Sequence, residues 1–157
     1  MKRQLLWQKN VKIYMSISSH QKKALINYIG GVRLAIRVSL MVLRIAVLFN
    51  LITGIIFWTG NADPLQIVHI VVGIIAVLAL WTLGIMQGLR GGNYGLVAAA
   101  IVVGLLLVFV GLFQKGWLTD SNHWIIQVIH LLLGIAAIGL GEMIGGRSRR
   151  MTAKVPS

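Results

Sequence analysis

The sequence predicts an all-α fold: an integral membrane four-helix bundle, up-down-up-down, built from two repeated helical hairpins. Three observations carry that expectation. Four apolar runs are each long enough to cross a bilayer, their connections are short, and a twelve-residue segment recurs in the second half. The 157 residues are 57% apolar and only 11% charged, with a mean hydropathy of +0.85, which sets the chain apart from ordinary soluble domains.

Residues 1–37 read as a basic cytoplasmic leader. Between Arg3 and Ile17, Trp7, Val11 and Tyr14 recur at near-helical spacing beside Lys9 and Lys12. That pattern fits an interfacial helix on anionic lipid, and fits a disordered basic leader equally well. The repeated charges leave no continuous apolar core, so no secretory signal is expected.

The transmembrane domain is expected at residues 38–145. A spanning helix needs roughly 20 apolar residues at about 1.5 Å each. Residues 38–58, 65–86, 95–113 and 124–144 supply four such runs. The connections between them are rich in Gly, Asn, Asp and Pro, and their brevity makes neighbouring helices antiparallel. Residues 146–157 form a basic tail.

A net charge of +12 would suggest nucleic acid in a soluble protein, but its distribution argues otherwise. Eight basic residues precede the first span, Arg90 lies in the second connection and four follow the last span, all on one face. The opposite face carries Lys115, Asp63 and Asp120. By the positive-inside rule both termini are cytoplasmic, in the inner membrane of a prokaryote, with lipid rather than nucleic acid as the partner. The absence of Cys removes disulfides, thiolate metal sites, Fe–S clusters and cysteine nucleophiles.

Gln66 to Val77 (QIVHIVVGIIAV) aligns with Gln127 to Ile138 (QVIHLLLGIAAI) without gaps. Gln, His, Gly and Ala fall on one helix face in each copy. His69 and His130 therefore occupy matched positions, nearly level, roughly 6 to 9 Å inside the outer boundary. Gly54 and Gly111 sit at comparable depth on the preceding spans, and Gly73 and Gly134 follow each histidine by one repeat of the stripe. In a square bundle the second and fourth helices would be diagonal partners about 14 Å apart.

Ionisable residues inside a bilayer point to function by default, here His69, His130, Arg44 and Glu142. Two imidazoles are too few for a structural zinc site but suffice as axial ligands of haem iron. In this the chain resembles transmembrane b-type cytochromes, whose four-helix cores ligate haem between histidines on parallel helices, with glycines making space. The resemblance is one of architecture and covers residues 38–145. It implies a single haem b, with His69 and His130 as metal ligands and Gly54, Gly73, Gly111 and Gly134 facing the macrocycle. Gln66 and Gln127 would orient the imidazoles or meet the haem edge, or simply mark polar helix ends. Lys115 would lie above the haem, within reach of a propionate.

The function implied is electron transfer, with a redox protein, a quinone or a larger respiratory or photosynthetic complex as partner. A chlorophyll-binding subunit and a cofactor-free scaffold subunit stay open as alternatives. Arg44 and Glu142, on neighbouring helices, are expected to form an ion pair. Gly84 with Gly88 and Gly141 with Gly145 fit the small-xxx-small association pattern, compatible with a homo-oligomer. The Gly residues of LRGGN lack the ending of a phosphate loop, and no nucleophile, base and orienter set for hydrolysis can be assembled.

Overall fold

The computed structural model describes residues 18–60, 63–118 and 120–152. The interfacial-helix expectation for Arg3 to Ile17 lies outside them. Among the described residues the chain is all-α, with four long helices and no strand: α1 (Ser19–Trp58), α2 (Gln66–Leu89), α3 (Tyr94–Phe113) and α4 (His123–Thr152). All four are long and apolar enough to cross a membrane.

The chain divides into two compact units, Met1–Leu34 and Ala35–Ser157. In the first, Ser18 begins α1 with a capping box. Its hydroxyl accepts from Gln21 N–H at 3.3 Å, and the Gln21 side chain accepts from Ser18 N–H at 3.2 Å. Helix α1 therefore begins well before the apolar run expected at residue 38, and no proline interrupts it.

In the second unit, α2 packs on α3, α3 on α4, and α2 directly on α4. This corrects the square arrangement. The cause is small residues where helices meet: a methyl on Gly141 would collide with Leu43 and come within 3.6 Å of Leu83 of α2. Gly145 likewise admits Leu40, Gly84 lies against Ala100 and Val97, and Gly88 lies against Val97. Both small-xxx-small pairs are thus used within the chain. Gly104 makes room for the Trp81 indole.

Leu43, Leu80, Leu83 and Ile144 are fully buried, yet apolar side chains such as Ile45, Leu78, Leu105 and Leu132 also cover the outside. The LRGGN segment is a helix stop and start. Gly92 N–H bonds Gln87 O and Gly91 N–H bonds Gly88 O, both at 3.0 Å, with Gly91 left-handed at φ +66°. Asn93 then caps α3 by accepting from Gly95 N–H at 2.8 Å.

Candidate functional site

Residues of all four helices line one cavity of about 370 Å³, within the range of roughly 300–1,000 Å³ typical of small-molecule sites. His69 and His130 both face it, together with Gly54, Gly73, Gly111, Gly134 and Gln127. Seven of the eight residues singled out by the repeat are thereby brought to one place. The eighth, Gln66, is not among the lining residues: its side-chain oxygen accepts from Lys115 Nζ at 2.6 Å, tying the start of α2 to the turn after α3.

The imidazoles lie with ring centres 6.3 Å apart and planes inclined by 43°. A metal bonded to one nitrogen of each ring at about 2.0–2.1 Å would set the ring centres about 6 to 6.5 Å apart. The observed separation is of the size at which the two rings could share one metal between them. Among the described residues no group of three or more His, Asp or Glu could hold a bare metal ion.

The glycines act differently from one another. A methyl on Gly54 would stand 3.9 Å from Cε1 of His69, and one on Gly111 would stand 3.2 Å from Cε1 of His130. Each therefore clears space for an imidazole of the following helix. Gly134 opens on the cavity, with nothing within 4 Å of where its Cβ would lie. Gly73 admits the Asn50 amide.

Three residues that sequence reasoning passed over hold His69. The Thr53 hydroxyl donates to the carbonyl of Phe49 at 3.0 Å, the usual back-bond of a helical threonine, and its oxygen lies 2.7 Å from His69 Nδ1. When the hydroxyl proton is engaged in that way, Thr53 is an acceptor for Nδ1–H, the tautomer of His69 that leaves Nε2 its lone pair. Phe57 packs edge-on at 5.1 Å between ring centres. Oriented as its neighbours require, the Asn50 amide donates to His69 O at 3.1 Å and accepts from Gly73 N–H at 3.0 Å, clamping the backbone turn that carries the ligand.

His130 has no such supports. Its Nδ1 is buried without a hydrogen-bond partner. Aligning Gly54 with Gly111 pairs Asn50 with Leu107, Thr53 with Val110 and Phe57 with Gln114. The repeat keeps the histidine and the glycine beside it but not the residues that hold the ring.

Neither His20 nor His123 is among the lining residues of the cavity. His20 is exposed, and His123 Nδ1 lies 3.3 Å from the carbonyl of Trp117. Arg44 and Glu142 form the expected ion pair. No family model matches the chain, and comparison with curated proteins and with solved structures likewise returned no match.

Proposed function

We propose that the chain is a multi-pass electron-transfer protein of a prokaryotic cytoplasmic membrane that binds one haem b between His69 of α2 and His130 of α4. The observation that carries the reading is the pair of imidazoles 6.3 Å apart across an apolar cavity lined by glycines. When bound, the haem would supply a centre that takes up and releases one electron. The chain's own residues do the rest. His69 and His130 offer one nitrogen each, Gly134 keeps side chains out of the cavity, and aliphatic walls exclude water. Gln127 lines the cavity and Lys115 stands beside Gln66, one turn from His69, where a haem carboxylate would find a cation.

An up-down-up-down course supports this arrangement. Trp81, Gly84 and Gly88 of α2 meet Gly104, Ala100 and Val97 of α3 in reversed order, the pattern expected of an antiparallel pair. Leu40 and Leu43 of α1 meet Gly145 and Gly141 of α4 in the same opposed sense. Such a course makes α2 and α4 parallel and brings His69 and His130 level. The apolar exterior suits lipid, where a water-soluble bundle would present polar groups.

The test is a reduced-minus-oxidised difference spectrum of the purified full chain. Sharp b-type bands at one haem per chain, lost in the double variant His69→Ala/His130→Ala, are expected. A colourless full-length chain overturns the proposal in favour of a scaffold subunit. Chlorophyll-like bands unresponsive to redox state would overturn it in favour of a light-harvesting subunit.

A further inference from the structure

The two candidate ligands are unequal. Thr53, itself only 3% exposed, fixes the ring of His69 through Nδ1, Phe57 braces its face, and Asn50 clamps its backbone. His130 is bounded by Gly111 and by His69, and its Nδ1 bonds to nothing. A ligand whose second nitrogen is hydrogen-bonded is a stronger base and is held in orientation, and removing such a partner typically weakens a metal site about 10–100-fold. In the alignment of the two halves Val110, which has no polar group to offer a ring nitrogen, takes the place of Thr53, and Gln114, which also lines the cavity, takes the place of Phe57.

Resting on the haem reading, we propose that His69 is the fixed ligand and His130 the exchangeable one, so that a small neutral iron ligand of the diatomic-gas class replaces His130. Exchange transfers neither electron nor proton: one nitrogen donor leaves and one lone pair of the incoming molecule takes its place. The incoming molecule takes the place that the His130 ring gives up, and the methyl-free Cα of Gly134 crowds neither. Thr53 acts here as a positioning residue, through His69 rather than on the iron.

Carbon monoxide is the probe. Titrated into the dithionite-reduced full chain, it is expected to shift the Soret band and to saturate at one molecule per haem. A haem-loaded chain whose spectrum does not move overturns the inference alone, whereas a colourless chain overturns the haem reading and the inference together. His69→Ala is expected to retain about tenfold less haem than His130→Ala, in keeping with the usual weight of an oriented ligand. Equal retention would contradict the assignment. Where His69→Ala fails to accumulate, Thr53→Val decides. It is expected to shift the midpoint potential upward, because a less basic imidazole stabilises the oxidised iron less, and Thr53→Ser is expected to restore it. A Thr53→Val protein with the wild-type potential overturns the proposal.

Discussion

Arg44 of α1 and Glu142 of α4, ninety-eight positions apart, form a two-pronged ion pair, Nε to Oε1 at 2.6 Å and Nη2 to Oε2 at 2.8 Å. Both side chains are about half exposed on the outer surface of the bundle, 51% and 42%. In lipid, that surface offers neither of them water. Removing one partner therefore takes the two-pronged pairing from the other, while removing both leaves an apolar contact. Arg44→Leu and Glu142→Leu are each expected to lower the thermal unfolding temperature in detergent and the yield from membranes. The double variant should recover part of both losses, and the coupling can be read from the double-mutant cycle. Additive losses would show that the two side chains act independently.

Gly54 and Gly111 occupy equivalent places but leave different clearances. The 3.2 Å between a Gly111 methyl and His130 requires the ring to move, whereas 3.9 Å at Gly54 is ordinary contact. Overpacking of this kind costs about 1–3 kcal/mol, equivalent to a roughly fivefold or greater loss of affinity. Gly111→Ala is expected to lower the haem content per chain by that factor, with Gly54→Ala near wild type. The ratio of Soret to protein absorbance measures both, and equal effects would separate the glycines from the ligands.

The parts of this fold that were legible in the sequence are those set by composition and by spacing along one helix. Apolar runs marked the helices, the repeat marked His69 and His130, and opposite charges on neighbouring spans marked Arg44 and Glu142. What was not legible depends on how helices are rotated against each other. Thr53, Asn50 and Phe57 have no counterparts in the repeat, and nothing in α1 alone says which of its faces meets His69. Gln66 shared its spacing with Gln127, yet a lysine forty-nine positions away took its side chain. The early start of α1 did have a signal, the Ser18 to Gln21 capping box, hidden by the charges that follow it.

Asn50 reaches from α1 to the turn of α2 that carries His69, with two hydrogen bonds at 3.1 and 3.0 Å. Interhelical hydrogen bonds within membrane proteins contribute on average about 0.6 kcal/mol each, and at most about 1.7. Replacing Asn50 by Leu, the residue its counterpart position already holds, is expected to lower unfolding stability by about 1–2 kcal/mol. The same substitution should speed haem loss, since His69 would lose the clamp on its own carbonyl. An unfolding curve that does not shift would mean that these bonds are replaced elsewhere.

In the orientation proposed from the charge distribution, both termini lie on the cytoplasmic side and the turn after α3 outside. The chain contains no cysteine, so single cysteines report on sidedness without a background. Two glycines suit the purpose: nothing lies within 4 Å of where a Cβ would stand at Gly116, in the turn after α3, or at Gly146, near the end of α4. Neither substitution should disturb packing. Gly116→Cys is expected to react with a membrane-impermeant maleimide in intact cells, and Gly146→Cys only after permeabilisation. The reverse pattern would invert the bundle and move the histidine pair, with His69 one turn from Gln66, to the cytoplasmic side. Because His69 and His130 sit near the ends of α2 and α4 closest to Gly116, this labelling also decides which compartment the proposed haem site faces.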